Sequence, residues 1–128
     1  MTDPAPDLRS FLELVKRTRK ADYVEVTREV SPRHETAAIL TALEAKRRSP
    51  LLVFKNVAGA AMPVVTNVGG SMGRLALALG CSLSEIGSRF EHAAAHRHAP
   101  QLVTDAPVHE TVHRGADVDL SILPRMVY

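Results

Sequence analysis

The sequence contains no tryptophan, and only two tyrosines, three phenylalanines and one cysteine among its 128 residues. So few aromatic side chains predict an aliphatic core and argue against the aromatic stacking platforms that bind single-stranded nucleic acid. One cysteine excludes an internal disulfide and suits a reducing compartment. No apolar run reaches the length of a membrane span, and the opening MTDPAPD lacks the regions of a signal peptide. We therefore expect a soluble, cytoplasmic protein.

The sequence also lacks a large excess of either charge. It has 16 basic and 14 acidic residues, and the net charge is +2. Two basic runs, 16–20 and 46–48, each fall at the end of a predicted helix, where cations oppose the negative end of the helix dipole. This placement favours solvated helix ends over a nucleic-acid patch.

Hydrophobic periodicity predicts helices and strands in alternation. Asp7 caps a first helix with an apolar stripe, 22–30 alternates as a half-exposed strand, and Ser31 and Pro32 predict the start of a second helix. That helix turns Ile39, Leu40 and Leu43 inward. Residues 51–57 predict a buried strand, with 63–68 as its neighbour.

A third helix follows a glycine-rich turn and covers 72–79, and Ser82 with Glu85 predicts a capping box for a fourth helix that carries Ile86 and Phe90. Two short extended pieces, QLVT (101–104) and VHETVH (108–113), and a Gly-Ala-Asp turn follow. With no repeat and no internal linker, the pattern predicts a single α/β domain with helices packed on one mixed β-sheet, preceded by a disordered tail at 1–6.

HETVH at 109–113 has the H-E-x-x-H spacing in which two helical histidines bind zinc and a glutamate activates water. The motif requires a helix, but Pro107 and Gly115 bracket it closely and its centre is β-branched. An extended segment is the better prediction. A metal hydrolase acting through His109, Glu110 and His113 stays as one functional hypothesis.

Three other features are candidate sites. Gly69, Gly70 and Gly73 precede a helix, where free amides and Arg74 could hold a phosphate; glycines that permit a tight turn are the preferred interpretation. His92 and His96 lie four residues apart with His98 nearby, and they predict affinity for nickel or copper resin without enough ligands for a structural or catalytic metal site. Cys81 precedes a helix start with no neighbouring base in the sequence. We assign no catalytic, cofactor-binding or metal-binding residue.

Four stretches together resemble the N-terminal part of the UbiD family, the decarboxylases that use prenylated flavin mononucleotide. They are DLRSFLELV, VTREVSPRHETAAIL, LLVFKNVAGAAMPVVTNVGGSMGRLALALG and APVHETVHRGADVDLSILP, in the family's order and spanning Asp7 to Pro124. One departure is Gly69-Gly70-Ser71, where the family often has an aromatic residue before the Gly-Ser. The resemblance implies an extended, zinc-free segment at VHETVH.

In UbiD-like enzymes, the residues that bind prenylated FMN, its divalent metal (Mn) and K, and the Glu-Arg-Glu catalytic set, follow the last of these motifs. The resemblance therefore carries no functional residue onto this chain. It implies that residues 7–124 are the N-terminal domain of an enzyme that reversibly decarboxylates aromatic or α,β-unsaturated acids, and that the chain alone is inactive. Residues 125–128 would begin the connection to a flavin-binding domain.

The partners implied are that flavin-binding, catalytic domain or a companion subunit, with a flavin prenyltransferase as supplier of the cofactor, and neither nucleic acid nor a membrane. The alternative is a freestanding assembly or binding subunit. The segment LSILPRMVY (120–128) is strongly apolar. We expect Leu120 to Leu123 to pack on this domain and Met126 to Tyr128 to point towards a partner or a second copy.

Overall fold

The computed structural model describes residues 7–128; the disordered tail predicted for 1–6 lies outside them. The helices are α1 (Leu8–Thr18), α2 (Glu35–Glu44), α3 (Met72–Leu79) and α4 (Ile86–Ala95), and the strands are β1 (Tyr23–Val30), β2 (Leu51–Val57) and β3 (Val64–Thr66). Short 3₁₀ turns cover Lys20–Asp22, Leu83–Glu85, Pro107–His109, Gly115–Asp117 and Leu120–Ile122. This is the predicted single α/β domain.

The sheet is mixed and has the order β1-β2-β3. β1 and β2 are parallel and joined through α2, while β2 and β3 form an antiparallel hairpin. Parallel neighbours need such a crossover, whereas a hairpin needs only a turn. In that turn Gly59 adopts φ +75°, a left-handed conformation that glycine tolerates best.

β2 is the centre of the core because both of its faces are covered. Leu51 and Val53 pack with α1 and α3 on one face, and Leu52 and Phe54 pack with α2 on the other. A strand buried on both sides has a continuous apolar sequence, as LLVF has at the start of β2. The protein therefore has three layers, with α1 and α3 above the sheet and α2 below it.

The predicted helix ends are largely confirmed. The Asp7 carboxylate accepts from the Ser10 amide at 2.8 Å, which caps α1, and Gly80 ends α3 in a left-handed conformation. Ser82 and Glu85 form the predicted capping box ahead of α4. Ile86 is buried, whereas Phe90 is 56% exposed. Among the described residues, no helix has the length and apolar character to cross a bilayer.

The predicted start of α2 at Ser31 and Pro32 is wrong, because the helix begins at Glu35. The backbone of the preceding turn pairs instead with the far end of the chain. The Val127 amide donates to the Pro32 carbonyl at 2.9 Å, and the His34 amide donates to the Val127 carbonyl at 2.7 Å. A backbone group used in this bridge is not available to start a helix.

We call residues 96–128 the C-terminal arm. They contain 3₁₀ turns but no strand beyond the bridge of Val127 to Arg33. The extended segment predicted at VHETVH is wrong, because Pro107–His109 forms a 3₁₀ turn in which the His109 amide donates to the Ala106 carbonyl at 2.8 Å. Proline at the first helical position favours this turn.

The packing predicted for the last segment is also wrong. Leu120 and Ile122 are exposed, whereas Met126 packs against the α2 side of the core. The arm therefore returns to the body at Met126 and Val127, and the apolar residues before them face solvent.

Candidate functional site

The turn between β3 and α3 is organised by a buried arginine. Arg74 is 1% exposed, and its guanidinium donates through Nε to the Val68 carbonyl at 3.0 Å and through Nη2 to the Asn67 carbonyl at 2.9 Å. Asn67, at φ +57°, in turn donates through Nδ2 to the Pro50 carbonyl at 2.8 Å. The arginine thus satisfies backbone oxygens that the sharp turn leaves without partners.

The charge of Arg74 is directed into the protein as well. Its Nη1 lies 4.0 Å from the Asp22 carboxylate and has no hydrogen-bond partner among the described residues. Burial lowers the pKa of Arg74, and the nearby Asp22 carboxylate opposes that effect. With its donors aimed at carbonyls, Arg74 offers no cationic surface to a phosphate at this turn.

Close approach requires a glycine at one position of this turn. A Cβ on Gly70 would lie 1.7 Å from the Asn67 Oδ1 atom, and Asn67 is held by its own hydrogen bonds. A Cβ on Gly73 would meet only the movable guanidinium of Arg19, and a Cβ on Gly69 would meet no atom within 4 Å. The geometry thus supports the tight-turn interpretation at Gly70.

HETVH does not form the helix that the zinc signature requires. His109 ends a 3₁₀ turn, while Glu110 and His113 follow it in irregular, exposed chain. Within residues 7–128, no group of three or more histidine, cysteine or carboxylate residues is placed to hold a metal ion. The i, i+4 geometry behind the metal hydrolase hypothesis is therefore missing.

The other histidines and the cysteine are separated from this segment. His92 and His96 stack at the end of α4 with ring centroids 4.1 Å apart, and both are exposed. His98 lies two residues further on in the arm and is exposed too. Cys81 is half-buried between α3 and the Leu83–Glu85 turn. The structure thus joins two of the predicted candidates, His92 and His96, and leaves the others apart.

A charged cluster joins α1 to the sheet. The Glu25 carboxylate accepts from Lys16 Nζ at 3.2 Å and from the Tyr23 hydroxyl at 3.0 Å, and Lys55 Nζ lies 3.7 Å away. The hydrogen bonds from Lys16 and Tyr23 lower the pKa of Glu25. Burial, and then the neighbouring Glu25, raise the pKa of Tyr23 to about 12. The cluster links α1 to β1 and β2 at the surface.

Sequence reasoning missed the exposure of large apolar side chains along the arm. Leu102 is 96% exposed, Leu120 70% and Ile122 57%. Where the arm meets the body it encloses a cavity of about 390 Å³, lined by the turns near Arg33 and Gly59 and by Leu123 and Arg125. Where exposed apolar side chains lie together, they mark an interaction surface. The apolar segment LSILPRMVY was the one signal of it in the sequence.

Comparison with known proteins gives a family match and several structural matches. Residues 14–94 match the family described as the 3-octaprenyl-4-hydroxybenzoate carboxy-lyase N-terminal domain. An evolved dimeric form of the UbiD-class enzyme HmfF from Pelotomaculum thermopropionicum, in complex with prFMN, is 27% identical and superimposes with a TM-score of 0.79. The match covers 94% of this chain and 27% of that enzyme.

Two further solved structures are similar. The apo 3,4-dihydroxybenzoic acid decarboxylase of Klebsiella pneumoniae is 26% identical with a TM-score of 0.64, over 73% of this chain and 21% of that one. The open form of the vanillic acid decarboxylase of Sedimentibacter hydroxybenzoicus is 29% identical with a TM-score of 0.58, over 73% and 20%.

The chain thus spans between 20% and 27% of the length of these solved enzymes. The family match extends from the middle of α1 to the last turn of α4, and so includes the whole sheet and the Arg74 turn. The chain belongs to the family of 3-octaprenyl-4-hydroxybenzoate carboxy-lyase N-terminal domains, the family of the UbiD-class enzymes.

Proposed function

We propose that this chain is the N-terminal, non-catalytic part of a UbiD-like enzyme that reversibly decarboxylates aromatic or α,β-unsaturated carboxylic acids with prenylated FMN. The family match supports the parent enzyme class. The structural matches include two decarboxylases of aromatic acids and an enzyme in complex with prFMN. The single cysteine suits a reducing compartment, and we place the enzyme in the cytoplasm.

The main structural support for this proposal is the set of exposed apolar side chains on the C-terminal arm. Burying one large aliphatic side chain contributes roughly 1.5 to 3 kcal/mol, so covering Leu102, Leu120 and Ile122 would contribute about 5 to 9 kcal/mol before the costs of association. Because association itself costs about 4 to 15 kcal/mol, these three side chains would form the centre of a larger interface and not the whole of it. The partner that we propose is the flavin-binding, catalytic part of the same enzyme or a companion subunit; a second copy of this chain is the other candidate.

The proposed division of the chain rests on its similarity to UbiD-class enzymes. Residues 7–124 form the N-terminal domain, and 125–128 lead towards the flavin-binding part. Because Met126 and Val127 are held against the body, the exposed Tyr128 is the point from which that connection would leave.

The β3–α3 turn does not fit a flavin phosphate. Such a phosphate would need free donors, but two nitrogens of the Arg74 guanidinium donate to carbonyl oxygens and the whole side chain is buried. In this proposal, prenylated FMN, its divalent metal (Mn) and K belong to the catalytic part, and a flavin prenyltransferase supplies the cofactor. This chain covers and positions that part without taking a step in the reaction.

The test begins with the reading frame that follows this chain in its genome. We expect it to encode a flavin-binding segment, and the two purified polypeptides to form a defined complex by light scattering. With prenylated FMN, the complex should release carbon dioxide from at least one acid of a panel that includes 3,4-dihydroxybenzoic and vanillic acids. The chain alone should release none.

A pair of matched variants tests whether the arm forms the interface with the partner. Leu120→Glu puts a charge on the arm and should weaken the complex at least tenfold, which corresponds to about 1.4 kcal/mol. Leu83→Glu changes a comparably exposed leucine outside the arm and should weaken it less than threefold. If both variants weakened the complex equally, the arm would not be the docking surface. A following frame unrelated to flavin enzymes, with the chain binding another protein, would favour the freestanding subunit.

A further inference from the structure

The stacked histidines at the end of α4 have a geometry that the proposed function does not use. The His92 and His96 rings lie 4.1 Å apart between centroids and are inclined by only 18°. Both side chains are exposed, so neither ring is held in place by packing. Residues four apart share one face of a helix, which brings the two imidazoles together.

One ring is already oriented by the backbone. His96 Nδ1 lies 2.9 Å from the His92 carbonyl oxygen. Because a carbonyl oxygen can only accept, the neutral imidazole carries its proton on Nδ1 and its lone pair on Nε2. Histidines that bind metals commonly donate the other ring N–H to a carbonyl or carboxylate in this way, which fixes the tautomer and orients the ring.

The stacked arrangement is not itself a chelate, because imidazole lone pairs lie in the ring planes and the two planes are nearly parallel. Both side chains are exposed and can turn about their side-chain bonds. Histidines four residues apart on one helix face can then direct two ring nitrogens to one ion, at metal–nitrogen distances of about 2.0 to 2.1 Å. We propose that His92 and His96 form a surface chelate for a borderline divalent transition metal such as Ni²⁺, Cu²⁺ or Zn²⁺.

The site supplies two ligands from the protein. Since residues 7–128 hold no group of three candidate ligands, water completes the coordination sphere. Imidazole nitrogen selects borderline ions over Mg²⁺ and Ca²⁺, which prefer oxygen. The metal is exchangeable, and neither ligand belongs to the Arg74 turn or to the exposed apolar residues of the arm.

Calorimetric titration of the tag-free chain with NiCl₂ tests the chelate. We expect one binding site, and at least tenfold weaker binding in His92→Ala and in His96→Ala. His98→Ala, a neighbouring exposed histidine, should change the affinity less than twofold. MgCl₂ should give no binding.

A second measurement needs no variant. Paramagnetic Ni²⁺ should broaden the NMR signals of residues around His92 and His96 before those around His109 and His113. Absence of Ni²⁺ binding, binding that survives both alanine substitutions, or broadening that begins at HETVH would each overturn the chelate.

Discussion

Replacing Arg74 by methionine tests whether the β3–α3 turn depends on an internal cation. Methionine keeps most of the apolar volume and removes all of the donors. The carbonyls of Asn67 and Val68 then lose partners that now lie at 2.9 and 3.0 Å. A fully buried acceptor left without a donor costs about 1 to 3 kcal/mol. These two carbonyls are only partly buried, so we predict a combined loss of about 2 kcal/mol.

That loss is a large fraction of the roughly 5 to 15 kcal/mol that stabilises a typical domain. The assay is urea unfolding followed by far-ultraviolet circular dichroism. Arg74→Lys provides a second variant that keeps the charge but not the fork of donors, and it should fall between the wild type and methionine. A change below about 1 kcal/mol in both variants would refute the role assigned to the guanidinium.

Asp22→Asn serves as the control for the ionic contribution. Asp22 lies 4.0 Å from Arg74 Nη1 and already accepts from Arg19 Nε at 2.6 Å. Because the carboxylate is partly exposed, we expect its removal to cost less than about 1 kcal/mol. If Asp22→Asn lost more stability than Arg74→Met, the ion pair and not the hydrogen bonds to the carbonyls would be the main stabilising contact of Arg74.

Two further predictions concern single side chains. Thr36 in α2 is 1% exposed, and its hydroxyl has no partner among the described residues. Thr36→Val should therefore stabilise the fold by about 1 kcal/mol and raise the Tm. Thr41→Val, on the exposed side of α2, is the control and should leave the Tm unchanged. Lower stability in Thr36→Val would show that the hydroxyl is paired. Lys16 and Tyr23 hold the pKa of Glu25 below its ordinary 4.5, so this carboxylate stabilises the fold at neutral pH and ceases to do so as the pH falls through its folded value. The stability difference between wild type and Glu25→Gln should therefore shrink on acidification below pH 4.5, and a gap independent of pH would contradict the cluster.

The core elements were predictable because their signals are local. The apolar stripe behind Asp7, the continuous LLVF of β2 and the Ser82–Glu85 capping box each lie within a few residues of the structure they determine. The βαβ unit then follows from the order of those elements. These parts of the fold need no information from distant residues.

Two of the wrong predictions share a cause that lies far along the chain. The turn before α2 looked like a helix start, but its backbone is paired with Val127, more than ninety residues along the chain. Met126 was expected to point outward for the same reason, since no local pattern shows that it reaches the α2 side of the core.

The candidate sites differ in how far the sequence could predict their geometry. The spacing of His92 and His96 predicted their contact because helical geometry is local. Arg74 looked like a surface cation beside a glycine turn, and only the folded path of Asn67 and Val68 shows that its donors face inward. The exposure of the arm was hidden because an apolar sequence is ordinarily buried.

The bridge between Val127 and the turn before α2 has a consequence for how the protein folds and opens. It closes a loop that contains α2, the hairpin, α3, α4 and most of the arm. Two hydrogen bonds contribute roughly 1 kcal/mol each, which is small beside the entropy of closing so long a loop. Contacts at this separation form after the local ones, and they are the first to open in the native state. We therefore expect the arm to detach while the α/β core stays folded. The free energy of detaching the arm is then smaller than the free energy of unfolding the core. A partner that binds the arm raises only the free energy of detachment.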